Sequence, residues 1–273
     1  MRRGWELTKK SWALLRENKG LLRFPIYGAL AAIVPVVLVV FPGLYLIDTE
    51  KTLPGAVLVA LGLYLAAFAA TYFSVALAGA VDALLQGRPN PDAEGYAVAS
   101  SRRGAIAGWA LLSAIMGTIF SLLESQDGLA QIAGYLFGAA WSLVTFLAVP
   151  VIAIEGTGPI TTVRRSTKLF RSRWQGQITG NIAIGGLVGL LGILPSIILI
   201  AIGVYLWIND PNGSEVAVGA VLVAIGSVVL VAASMILRAL RGVFGVALYR
   251  FAEGGQVAGP FTAEELNSAV RTR

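Results

Sequence analysis

The chain contains neither cysteine nor histidine. The first absence excludes disulfides, thiolate nucleophiles and cysteine-ligated metals. The second excludes histidine-ligated metals, Ser-His and Cys-His pairs, and the side chain that ordinarily titrates near neutral pH. Charge is scarce too. Only 13% of the 273 residues are Asp, Glu, Lys or Arg, against about 25% in soluble domains. Hydrophobic residues make up 56% and the mean hydropathy is +0.76. Such a chain has too little polar surface to cover a globule of its size. No short apolar core with a small-residue cleavage site follows the basic N-terminus, so no removable signal peptide is expected.

What is abundant is apolar runs long enough to cross about 30 Å of hydrocarbon, which takes roughly 20 residues per helix. An all-α, polytopic membrane protein is the expected fold class. Six runs qualify: Phe24 to Ile47, Pro54 to Leu85, Gly104 to Leu123, Leu129 to Ile154, Ile178 to Ile208, and Glu215 to Leu237. The helical pattern of the last extends the expected helix to Tyr249 as a cytoplasmic extension. Pro35 and Pro42 interrupt the first run, Pro150 lies near the end of the fourth and Pro195 near the middle of the fifth. Each removes a helix hydrogen bond and predicts a kink. The chain then divides into an amphipathic helix over residues 1–23, a first group of spans over 24–154, a basic helix over 155–177, a second group with its extension over 178–250, and a polar tail over 251–273.

Charge sets the expected threading. With the N-terminus, the long loops and the C-terminus on one side, all 21 Lys and Arg except Lys51 lie there. Asp48, Glu50, Glu124, Asp127, Asp210 and Glu215 mark the tight turns opposite. The positive-inside rule makes the basic side cytoplasmic. The expected location is the cell membrane, with many passes and both termini in the cytoplasm.

The longest polar interruption, Glu155 to Gln177, separates the two groups of spans. Gly158-Pro159 is a helix start, since proline has no N–H to lose there and its φ is already helical. Ile160, Val163, Thr167, Phe170 and Trp174 recur at helical spacing, while Arg164, Arg165, Lys168, Arg171 and Arg173 fill the other faces. A basic helix with an apolar edge belongs in the membrane interface. The N-terminal segment has the same design, with Trp5, Thr8, Trp12 and Leu15 on one face. The two align without gaps: Lys9-Lys10-Ser11 with Arg164-Arg165-Ser166, Leu14 with Leu169, and Arg16 with Arg171. Each precedes a proline-interrupted span. Duplication and convergence on interfacial chemistry both account for this echo.

The pattern E-G-x-G-P-x-x-x-x-x-R-S-x-x-L-x-R-x-R-W, from Glu155 to Trp174, resembles an uncharacterised family of prokaryotic six-helix membrane proteins. The N-terminal W-x-x-x-x-x-S-W-x-x-L-x-x-x-K, from Trp5 to Lys19, fits the same family. More loosely, the chain is similar to membrane domains fused to some glycerophosphodiester phosphodiesterases. The resemblance implies a six-helix membrane fold. It carries no established activity, catalytic residue or cofactor.

Ionisable groups near hydrocarbon are the first functional candidates. Asp82, Glu155, Arg238 and Arg241 all fall at the cytoplasmic interface. They would form either a charged inner mouth or ion pairs between the carboxylates and Arg238 or Arg241. Arg164, Arg165, Lys168 and Arg171 are candidate contacts to anionic lipid. Three sets of small residues form packing or oligomer ridges that allow close helix approach: Ala66, Ala70 and Ser74; Gly134, Gly138 and Ser142; Gly185 and Gly189. Hydroxyls within the spans, such as Thr71, Ser74, Thr118 and Thr145, would bond to helix backbone. Gly156 to Pro159 lacks the strand and the Gly-Lys-Ser/Thr of a phosphate loop.

Two functions follow. One is a homo-oligomeric pore or channel-like protein, expected from kinked, glycine-rich spans, close-packing ridges and the lack of catalytic groups. The other is a non-transporting scaffold or anionic-lipid-binding protein. No catalytic group, cofactor or metal is expected, and the expected partners are the anionic lipids of the cytoplasmic face and further copies of the chain, not nucleic acid.

Overall fold

The computed structural model describes residues 2–174, 193–209, 215–257, 259–263 and 266. These are mostly helical, with no strand among them. α1 (Arg2–Glu17) leads through a short 3-10 turn into α2 (Arg23–Pro35), which continues through a π turn (Val36–Val40) into α3 (Phe41–Asp48). A tight turn returns the chain along α4 (Thr52–Leu85). α5 (Pro91–Ser101), α6 (Arg103–Glu124), α7 (Leu129–Val144), α8 (Ala148–Glu155) and α9 (Pro159–Trp174) follow. α10 (Leu194–Asn209) and α11 (Glu215–Gly254) form the last hairpin. Among the described residues four helices are long and apolar enough to cross a membrane: Lys19–Asp48, Thr52–Leu85, Arg103–Glu124 and Val216–Gly254. Leu194–Ile208 is a shorter apolar helix, and the start of the expected fifth span, with Gly185 and Gly189, lies outside the described residues.

Proline explains the irregular helices. Pro42 has no N–H for the Leu38 carbonyl. One turn earlier the helix widens, and the Phe41 N–H bonds to Val36 O, five residues back. The expected fourth span is broken at Thr145–Leu147 into α7 and α8. Pro150 removes the bond that the Phe146 carbonyl would accept, and the break falls just there. Beside the break, Trp141 O accepts both the Thr145 N–H and the Thr145 Oγ1 hydroxyl (2.9 and 2.7 Å).

Three further segments depart from expectation. The polar loop after α4 contains α5, which starts with proline at its first turn together with Asp92 and Glu94, a favourable set for a helix N-terminus. Gly95 lets α5 lie against α4: a Cβ there would stand 2.4 Å from Ala76 O. The tail returns to the bundle and buries Phe261 and Leu266. α11 reaches Tyr249 as expected but runs on beyond it and ends at Gly254.

α4 and α11 pack against each other and organise the rest. Their sequences reveal a larger repeat than the basic helices alone. Gly55 to Gly62 reads GAVLVALG and Gly219 to Gly226 reads GAVLVAIG, while Gly43 to Leu46 (GLYL) matches Gly203 to Leu206 (GVYL). The contacts repeat as well. A Cβ on Gly43 would lie 2.9 Å from Gly55 O, and one on Gly203 would lie 2.6 Å from Gly219 O. Gly62 meets Val40, and Gly226 meets Ile200, at corresponding places. Pro35 and Pro195 occupy the same position before Gly43 and Gly203. Two copies of one glycine-locked hairpin therefore stand side by side, each behind a basic amphipathic helix. Sequence, contacts and helix order agree, which convergence on interfacial chemistry does not explain.

Candidate functional site

At the basic end, α4 and α11 carry the carboxylates and arginines that join the two copies. Asp82 is 6% exposed. It accepts Arg250 Nε on Oδ1 (2.7 Å) and Arg250 Nη2 on Oδ2 (2.9 Å). Arg88 Nη2 and Gln86 Nε2 each donate to Oδ2 at 3.0 Å, and Arg88 also pairs with Glu94 of α5. A buried carboxylate held by a forked guanidinium is the strong form of such a pair.

A second cluster lies on the neighbouring face of α11. Glu155 Oε1 accepts from Arg165 Nε (2.6 Å) and from Tyr249 OH (2.7 Å). Arg165 Nη2 reaches Glu253 at 3.1 Å. The hydrogen bond to Glu155 pushes the Arg165 guanidinium further above its ordinary pKa, with burial opposing, so it stays charged. Gly156 supports this corner by taking a positive φ of 68° beneath the Arg102 guanidinium.

The expected pairing of Asp82 or Glu155 with Arg238 or Arg241 is corrected. The partners are Arg250, Arg88 and Arg165. Register explains the difference. Counting on from Gly62 and Gly226, Arg238 stands level with Ser74, about two helical turns short of Asp82, and Arg241 with Leu77, about one and a half turns short. The continuation of α11 brings Arg250 within reach instead. Arg238 and Arg241 are exposed, line a cavity with Ser74 and Ala78, and make no ion pair among the described residues.

The residues through which the basic helices dock lie largely beside the expected apolar edge. On α9, Thr162, Ser166 and Leu169 are buried while Ile160 is 66% exposed. On α1, Ser11, Leu14 and Leu15 are buried and Trp12 is 42% exposed. Small hydroxyl residues let the helix approach the bundle closely, leaving the larger apolar side chains at its outer edge. Ser11 and Leu14 correspond to Ser166 and Leu169 in the repeat, so both copies bury the same positions. Arg164, Lys168 and Arg171 remain exposed, whereas Arg165 is drawn inward.

Of the small-residue ridges, Gly134, Ala70 and Ser74 face inward, while Gly138 has open space beside it and only the Glu124 carboxylate at 3.9 Å. A Cβ on Gly134 would meet Glu124 and Leu123 of α6 at 3.0–3.1 Å. Ala70 and Ser74 line the cavity, Ala66 is half-buried and Ser142 is exposed. The span hydroxyls bond to backbone: Thr71 to Ala67 O, Ser74 to Ala70 O, and Thr118 to Ala114 O.

Residues 54–259 match a family of unknown function, DUF6159. The chain belongs to that family. The match runs from α4 through α11 into the tail, so it takes in the second half of the first hairpin, the whole of the second, and all the ion pairs described above. No curated protein and no solved structure matches the chain, and no match carries the looser likeness to phosphodiesterase-fused domains.

Proposed function

We propose that this DUF6159 protein is a non-transporting, anionic-lipid-binding membrane protein whose basic end lies at the cytoplasmic leaflet. One observation carries the reading. α9 is docked through Thr162, Ser166 and Leu169 and presents Arg164, Lys168 and Arg171 outward. Basic side chains held at an anionic surface contribute about 1 kcal/mol each, less at high salt. Arg16, Lys19 and Arg23 extend the positive rim from the N-terminal copy.

The reading needs neither a pore nor self-association. A homo-oligomeric channel would draw on inner-mouth carboxylates and outward-facing ridges. Here Asp82 and Glu155 are engaged by arginines, and Gly134, Ala70 and Ser74 point into the chain's own bundle. The threading that goes with the reading has six crossings and both termini in the cytoplasm. In this cysteine-free background, an impermeant thiol reagent added outside should label Gln126→Cys and not Lys168→Cys. The reverse pattern would overturn the orientation.

The lipid reading is tested by an Arg164→Glu, Lys168→Glu, Arg171→Glu variant. It should retain less phosphatidylglycerol than the parent through purification, and the difference should shrink in high salt. Equal retention at low salt would reduce α9 to a topology signal.

A further inference from the structure

The cavity between the two repeated halves contains two arginines that the ion-pair networks leave over. It has a volume of about 220 Å³. α4 contributes Ala70, Ser74, Leu77 and Ala78, and α11 contributes Arg238, Arg241, Gly242 and Gly245. Pro25 and Gly28 of α2 close one side, and Phe146, Val149 and Pro150 close another.

In the register fixed by Gly62 and Gly226, Ser74, Leu77 and Ala78 correspond to Arg238, Arg241 and Gly242. The equivalent stretches of the two copies thus face each other. Leu77 closes on Gly242, its Cδ2 standing 2.6 Å from where a Cβ would be, while the reciprocal positions, Ala78 and Arg241, share the cavity wall. Sites between repeats of this kind lie where two halves meet on a common axis. The halves have diverged in chemistry: one supplies small side chains and therefore space, the other supplies charge.

Arg238 and Arg241 are three residues apart on a helix, which puts them on the same face with Cβ atoms about 5–6 Å apart. Two guanidinium forks at that spacing match the oxygens of a single phosphate. The nearest carboxylate cluster is already satisfied by Arg250 and Arg88. Unpaired arginines at the edge of a hydrocarbon layer are expensive unless a counter-charge or water reaches them. The remaining walls are apolar, which suits acyl chains.

We propose that this cavity holds the phosphate of one anionic membrane lipid, gripped by Arg238 and Arg241, with its chains leaving along the apolar wall of α2 and α4. The site is separate from the surface of α9 and does not depend on the reading given for that helix. It would take a single molecule with slow exchange, whereas the surface collects a diffuse layer.

The test uses the full chain in phosphatidylcholine nanodiscs doped with short-chain phosphatidylglycerol, released into native mass spectrometry. The parent should carry one retained anionic lipid. Arg238→Gln with Arg241→Gln should lower its retention at least about tenfold, as expected for losing charge-assisted bonds. Arg238→Lys with Arg241→Lys, which keeps the charge but loses the forks, should fall between. Ser74→Leu narrows the apolar wall and should weaken the lipid adduct with both arginines present. The charge-reversed α9 variant should keep the single adduct even where it loses surface lipid, so the two readings fail separately. Inorganic phosphate should displace the lipid poorly. Unchanged retention in both double variants, each shown to melt like the parent, would overturn the site. Displacement by equimolar inorganic phosphate, with Ser74→Leu silent, would overturn the lipid assignment in favour of free phosphate.

Discussion

At the basic end, Val75 to Ala83 of α4 and Val243 to Tyr249 of α11 are buried. Toward the hairpin turns the same two helices expose Leu61, Leu63, Val221, Val228 and Val231. Both halves are apolar in sequence, yet they are built for different solvents. The basic end resembles a small soluble core, with α1, α5, α8, α9 and the tail packed around α4 and α11 and with two ion-pair clusters tying the elements together. The turn end consists of paired hairpins whose outer surfaces are left for lipid. Hairpin cohesion there comes from close backbone approach at Gly43, Gly55, Gly203 and Gly219, because lipid tails are as apolar as the side chains they contact and drive no burial. Stability and specificity therefore concentrate where water and membrane meet, which is also where every candidate charge lies.

This contrast is broken most severely at Asp82. Asp82→Asn leaves Arg250 and Arg88 around a neutral, largely buried partner. Removing one member of a buried pair costs about 3–5 kcal/mol, and the lower end applies here because both arginines retain some water contact. The midpoint of thermal unfolding, followed by tryptophan fluorescence in detergent, should fall by many degrees. A shift of a degree or less would mean that the halves are held by packing alone.

The glycine locks are next. Gly203→Ala places a Cβ 2.6 Å from Gly219 O, and Gly43→Ala places one 2.9 Å from Gly55 O. Overpacking of this kind costs about 1–3 kcal/mol. If the hairpins are copies, the two substitutions should cost similar amounts. Gly117→Ala on α6, with nothing within 4 Å of the new Cβ, is the control and should be neutral or slightly stabilising. A silent Gly203→Ala beside a costly Gly43→Ala would break the equivalence of the two hairpins.

Much of this was legible in the sequence, and the losses have identifiable causes. Apolar run length gave the all-helical membrane fold, and Gly158-Pro159 marked the start of α9. The continuation of α11 showed in its pattern. α5 was missed because Pro-Asp-Ala-Glu-Gly reads as a turn until Gly95 is seen to be the point of contact with α4. The ion-pair partners were missed because they depend on the relative level of two long helices. Residue types alone do not fix that level, although the matched Gly55–Gly62 and Gly219–Gly226 segments would have. The charged helices do not settle descent by themselves, because interfacial chemistry mimics it. Lipid imposes no such mimicry on glycine spacing within a span. The apolar edge of α9 showed in its spacing, but the docking residues did not: Thr162, Ser166 and Leu169 lie off that edge, and their burial depends on the bundle they meet.

The finest comparison sets one leucine from each region against the other. Leu240 on α11 is 1% exposed and belongs to the packed end. Its truncation to alanine should cost about 2–5 kcal/mol, the range for a leucine whose cavity the surroundings only partly fill. Leu136 on α7 is 67% exposed, and its outer surface meets acyl chains in both the folded and the opened bundle. Transfer out of water therefore contributes nothing to its position, and few packing contacts remain to be lost. Leu136→Ala should change the melting midpoint by less than a degree in lipid nanodiscs. The same pair measured in detergent should give the same order. A Leu136→Ala loss comparable to that of Leu240→Ala would mean that α7 is covered, and the exposed turn end would then be an interface with another chain instead of a surface for lipid.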